Sequence, residues 1–101
     1  MKLYNEKLLT VVCEILAKRK VVEILEKNHV SGFTMYAASG KGEKGVRGES
    51  IPEESNLKIE VVLSREKSES IIEEISRRLF ADYSIILYLS DIEVARAEKF
   101  E

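Results

Sequence analysis

The chain has 101 residues, of which 45% are hydrophobic and 34% charged, with a formal net charge of −2. This is enough apolar material for one small domain spanning 1–101, and the near-balanced charge argues against a general nucleic-acid binder, which carries a basic excess. A single cysteine excludes an internal disulfide and a cysteine metal cluster within one chain, and no apolar run approaches the length of a membrane span.

The opening Met1-Lys2-Leu3-Tyr4-Asn5-Glu6 does not read as a signal peptide, so the expected location is the cytoplasm. Leu8 to Ile15 is short, apolar and rich in β-branched residues, which suits a central strand covered on both faces. Cys13 lies within it and reads as a small buried hydrophobe. Ala17 to His29 has helical periodicity. Ala17, Val21, Ile24 and Leu25 share one face, and Asn28, His29 and Gly32 supply terminating signals. His29 is the single histidine and has no second ligand at a matching spacing, so no metal site is expected.

Phe33 to Ser39 alternates as a strand, with Phe33, Met35 and Ala37 on one face and Thr34, Tyr36 and Ala38 on the other. Gly40 to Asn56 then breaks every periodicity. Four of the five glycines (Gly40, Gly42, Gly45, Gly48) and the one proline, Pro52, fall in it, interleaved with Lys41, Lys44 and Arg47. A connection this long inside a small domain is usually functional or disordered, and glycine backbone can bring N–H groups close to a phosphate. Leu57 to Leu63 returns to a period of two, with Leu57, Ile59, Val61 and Leu63 pointing one way.

Ser64 to Phe80 reads as a second helix with an apolar stripe of Ile71, Ile72, Ile75 and Leu79. Glu73 with Arg77 and Glu74 with Arg78 have the favourable i, i+4 spacing, most simply a solvated helix face. Tyr83 to Asp91 forms a fourth strand, and the tail from Ile92 to Phe100 is expected to be extended or irregular. The order βαββαβ, with right-handed crossovers, gives the ferredoxin-like α+β fold: a four-stranded antiparallel sheet, two helices on one face, and a long loop between the second and third strands. The face away from the helices would carry Val12, Tyr36, Val62, Ile86 and Tyr88, too apolar for a bare surface, so a homo-oligomer packed through it is expected.

The chain resembles the PII signalling superfamily. The resemblance spans nearly its whole length. It is carried by Gly32-Phe33-Thr34, by Gly40-Lys41-Gly42, by Arg47-Gly48-Glu49 and by Leu57-Lys58-Ile59-Glu60-Val61-Val62, in that order on the βαβ-loop-βαβ pattern. It implies a trimer that binds an adenine nucleotide between subunits and moves the loop of residues 40–56, the T-loop, to engage a target protein.

The departures point to a divergent branch. Where standard members carry T-G-x-x-G-D-G-K, the phosphate-wrapping B-loop, this chain has Leu79-Phe80-Ala81-Asp82-Tyr83-Ser84. Glu43 replaces the arginine that follows the glycine pair, with Lys44 beside it. Ile51 and Glu49 occupy the places of residues modified in some members, and the C-terminal arginine pair becomes Arg96 and Glu98, with Lys99 beyond. The likeness is to PII-like proteins associated with bicarbonate transporters and carboxysomes. It implies AMP, ADP, cyclic AMP or ATP as effector, bicarbonate as a second ligand, and a partner such as a membrane transporter. With fewer phosphate-gripping groups, a mono- or diphosphate fits better than ATP with magnesium.

A nucleotide cleft needs an apolar slot, phosphate donors and polar contacts for the ribose. Gly40, Lys41, Gly42, Lys44 and Arg47 are the candidates for the phosphate, joined by Arg96 and Lys99 from the tail. Thr34 is the candidate for a polar contact near adenine. The residues show no nucleophile–base pair and no carboxylate cluster of metal-ligand character, so no catalytic or metal residue is named. Two other readings stay open: a ferredoxin-like trimer of the divalent-ion-tolerance type, and an interaction module without a ligand.

Overall fold

The computed structural model describes residues 1–38, 40–42, 45–47 and 56–96. The elements run β1 (Tyr4–Glu14), a 3-10 turn (Ile15–Ala17), α1 (Lys18–Lys27), β2 (Thr34–Ala38), β3 (Gly40–Gly42), β4 (Gly45–Arg47), β5 (Asn56–Leu63), α2 (Arg65–Leu79) and β6 (Ile85–Val94). The main sheet has the order β2-β5-β1-β6 with every neighbouring pair antiparallel. The ferredoxin-like reading of the sequence is therefore correct, with β1 central.

The sheet's inner face is dictated by the period of two. Leu9, Val11 and Cys13 of β1 and Leu57, Ile59, Val61 and Leu63 of β5 are buried. They close against Val21, Ile24 and Leu25 of α1 and Ile71, Ile75 and Leu79 of α2. Ile85, Leu87 and Leu89 of β6 complete the layer.

β1 begins at Tyr4, four residues earlier than its apolar run. The extension exists because Tyr4, Asn5, Glu6 and Lys7 pair with Val94, Glu93, Ile92 and Asp91. The same pairing carries β6 to Val94, so the first part of the tail, expected to be extended or irregular, is regular strand. Residues 97–101 lie outside the described residues.

The helix ends are set by local chemistry. Ser64 caps α2, its hydroxyl accepting from the Lys67 backbone N–H at 3.2 Å. After α1 the left-handed turn falls on His29, at φ 57°, and not on Gly32. The Asn28 side-chain amide donates to the Ile24 carbonyl at 2.8 Å, adding to the bond that carbonyl accepts from the Asn28 backbone N–H, and Lys67 Nζ donates to the His29 carbonyl at 2.9 Å.

The two i, i+4 pairs on α2 divide. Glu73 and Arg77 form an exposed pair at 3.1 Å. Glu74 is buried and does not lie on a solvated face, because α1 packs over it and Lys27 reaches it.

Candidate functional site

The sheet's outer face carries rows of residues across the strands. One row is Tyr36, Lys58, Val12 and Ile86; the next is Thr34, Glu60, Thr10 and Tyr88. Tyr36, Ile86 and Tyr88 are each 43% exposed, a concentration of large side chains that a water-facing sheet rarely keeps. A polar strip runs through them. The Tyr36 hydroxyl donates to Glu60 Oε2 at 3.2 Å. Lys58 Nζ lies 6.0 Å from the Tyr36 ring centroid. Hydrogen bonding with Tyr88, and then the charge interaction with Tyr36, hold the Lys58 ammonium above its ordinary pKa.

Four segments of the sequence meet at one end of this sheet. Ala38, the last residue of β2, pairs with Asn56, the first of β5, and Asn56 pairs with Glu14, the last of β1. The Glu14 backbone N–H donates to the Ser84 carbonyl at 3.3 Å, which brings in the turn after α2. That turn, free of glycine, is closed by the Asp82 and Tyr83 N–H groups donating to the Leu79 carbonyl. The glycine-rich stretch therefore departs beside the segment that stands in place of a B-loop.

Its base is regular. β3 and β4 form a separate antiparallel ladder with Gly40 opposite Arg47, Lys41 opposite Val46 and Gly42 opposite Gly45. The two-residue connection, 43 and 44, and residues 48–55 lie outside the described residues, and Lys44 with them. The ladder juxtaposes the backbone of the candidates Gly40, Lys41, Gly42 and Arg47.

The other candidates are placed apart. Thr34 starts β2, opposite Glu60 and exposed on the outer face, four residues from Ala38; that is roughly 13 Å along the strand. Arg96 follows β6, whose last residue Val94 pairs with Tyr4, at the other end of β1 from Glu14. Ten strand steps separate Tyr4 from Glu14, roughly 33 Å. Within one chain, Arg96 does not join the glycine ladder. Lys99 lies outside the described residues.

Asn56 is a residue the sequence reading passed over. It is completely buried, and neither its amide nitrogen nor its amide oxygen has a hydrogen-bond partner. The only hint in the sequence was its place just ahead of the period-two strand.

A cleft of about 670 Å³ lies at the opposite end of the sheet, lined by Asn5, Glu6, Lys7, Ser64, Arg65 and Asp91. Four of these six are engaged with other groups: Lys7 with Asp91, the Ser64 hydroxyl with the Lys67 amide, and Arg65 with Glu69 at 3.5 Å. Among the described residues no group of three or more His, Cys, Asp or Glu side chains is placed to hold a metal. Cys13 has no exposed surface, and burial, aided by the Glu14 charge, pushes its thiol up to about 11. No described helix is long and apolar enough to cross a membrane.

The family model of nitrogen regulatory protein P-II matches residues 6–99. Among solved structures, a PII-like signalling protein of Thermus thermophilus is 29% identical, with a TM-score of 0.83, and the match covers 100% of both chains. The CPII protein of Thiomonas intermedia, a nitrogen regulatory PII-like protein, was solved bound to ADP and bicarbonate. It is 27% identical with a TM-score of 0.88, covering 99% of this chain and 98% of that one. A second structure of the same protein, bound to ADP, AMP and bicarbonate, has a TM-score of 0.87 at 28% identity, covering 98% and 96%.

Proposed function

The chain belongs to the nitrogen regulatory protein P-II family, and on that basis we propose that it is a non-enzymatic signalling protein: a homotrimer that binds an adenine nucleotide between subunits and uses residues 40–56 to regulate a partner protein. One observation carries the intersubunit site. The glycine ladder and Arg96 stand at opposite ends of one sheet, so a cleft using both draws the tail from another copy. The exposed Tyr36, Ile86 and Tyr88 of the outer face give such copies an apolar surface to share.

The relatives support the ligand class. CPII binds ADP and AMP together with bicarbonate, and this chain retains the glycine base of the T-loop while lacking glycine in the segment opposite it. Phosphate contacts therefore come from the ladder N–H groups, from Lys41, Lys44 and Arg47, and from Arg96 and Lys99 of a neighbouring copy, with Thr34 placed toward the base. AMP or ADP is favoured over ATP with magnesium, bicarbonate is a second effector, and a transporter is the kind of partner such a loop would address.

Calorimetry with AMP, ADP, cyclic AMP and ATP, each with and without bicarbonate, tests this. The expected result is binding of AMP and ADP with one site per chain. Absence of binding by every nucleotide overturns the reading, and ATP bound far more tightly than AMP and ADP overturns the stated preference.

A further inference from the structure

A buried amide without a protein partner is rare, because both its donor and its acceptor forfeit hydrogen bonds without replacement. Asn56 is in that state, at the junction where the glycine-rich stretch rejoins the sheet. Its cross-strand neighbour on the same outer face is Glu14, and its neighbour on the other side, Ala38, has no polar side-chain group to offer it. An amide presents an N–H donor and a carbonyl acceptor, whereas a carboxylate accepts only. The Glu14 charge disfavours a phosphate or a carboxylate beside Asn56. The pair is complementary to a neutral group that can donate two hydrogen bonds and accept one, and vicinal hydroxyls have that pattern.

We propose that Asn56, with Glu14, forms the subsite for the ribose hydroxyls of the bound nucleotide; this rests on the nucleotide-binding reading above. One hydroxyl donates to the Glu14 carboxylate. The other accepts from the Asn56 N–H or donates to its carbonyl oxygen. Phosphates are left to the glycine ladder, away from the Glu14 charge. Because Asn56 has no exposed surface in the free chain, binding is coupled to a local opening of this row, and satisfying the amide favours the opened, liganded form.

The test is calorimetry with AMP and with dideoxy-AMP, which lacks both ribose hydroxyls, on the wild-type protein and on Asn56→Leu. The wild type is expected to bind AMP about tenfold more tightly than dideoxy-AMP. Asn56→Leu is expected to narrow that difference, keeping only the share owed to Glu14, while melting at a higher temperature than the wild type because the orphaned amide is gone. Equal wild-type affinities for the two nucleotides overturn the proposal without any variant. So does an Asn56→Leu protein that retains the preference in full, or one that weakens both ligands alike. If the wild type binds dideoxy-AMP and AMP equally, nucleotide binding stands and only the ribose subsite falls. If it binds neither, the nucleotide reading itself falls.

Discussion

Lys27 Nζ on α1 donates to Glu74 Oε2 on α2 at 2.9 Å, and Arg78 Nη1 reaches the same oxygen at 2.7 Å. The carboxylate is buried, Lys27 is largely outside and Arg78 is partly so; the Lys27 contact joins α1 to α2, and Arg78 of α2 shares the same carboxylate.

The arrangement fixes an acid limb in the stability profile. Hydrogen bonds from Lys27 and then from Arg78 hold the Glu74 carboxyl down to about 2 from its ordinary 4.5. A depressed folded-state pKa contributes stability that is complete above the unfolded value and is lost as pH falls through the folded one. The contribution of Glu74 is therefore expected to be whole above about pH 4.5 and to disappear between there and about pH 2. Urea titrations across that range should show a steeper loss for the wild type than for Glu74→Gln. Parallel profiles would show that the triad contributes no pH dependence.

The same pair marks the boundary of what could be read from the residues. Glu73–Arg77 and Glu74–Arg78 are identical as sequence patterns, and only the packing of α1 makes one an exposed pair and the other an interhelical junction. The strands were legible where one face is apolar, as in Leu57 to Leu63. They were not legible at Tyr4 to Lys7, where charged residues become strand through pairing with residues Asp91 to Val94, more than eighty positions away. At the candidate site, the order of Gly40-Lys41-Gly42 and its neighbours identified the loop. The ladder within it, the distance of Arg96 and the burial of Asn56 all depend on long-range placement.

His29 and Gly32 are expected to respond oppositely to the intuition that glycine ends a helix. His29 holds the left-handed turn at φ 57° and is exposed. A side chain there costs roughly 1–2 kcal/mol of backbone strain, partly offset against glycine by the greater freedom of an unfolded glycine. His29→Gly should therefore stabilise the fold by about 0.5–1 kcal/mol. A Cβ at Gly32 meets nothing within 4 Å, so Gly32→Ala should be neutral or stabilising by up to about 1 kcal/mol. Chemical denaturation of the two variants checks both signs.

Cys13 is expected to be silent to alkylating reagents in the folded protein. It is fully buried, and its thiol titrates near 11, so the reactive thiolate is scarce and unreachable at neutral pH. Labelling should follow the rate of unfolding and become rapid in denaturant. Cys13→Ser, which buries a hydroxyl among apolar side chains, should cost about 1–3 kcal/mol. Rapid native labelling would show that β1 opens independently of the core.

The outer face of the sheet makes assembly and ligand binding a single question. Ile86 is 43% exposed and stands opposite Val12, in the row that also holds Tyr36 and Lys58. Ile86→Glu removes nothing from the core beneath, so the isolated chain should keep its helical circular dichroism. Its stability as a monomer should change by no more than about 0.5 kcal/mol, as for other surface substitutions. Placed in a shared interface, three such carboxylates would be desolvated and would repel one another, and the trimer should fall to monomers in light scattering. Because Arg96 follows the strand end that lies across the length of β1 from the strand ends flanking the glycine ladder of its own chain, AMP binding should weaken in the same variant, and by more than any single cation substitution in the ladder. A wild-type monomer at micromolar concentration would remove the premise. An Ile86→Glu monomer with wild-type affinity for AMP would place the whole site within one subunit, and Arg96 outside it.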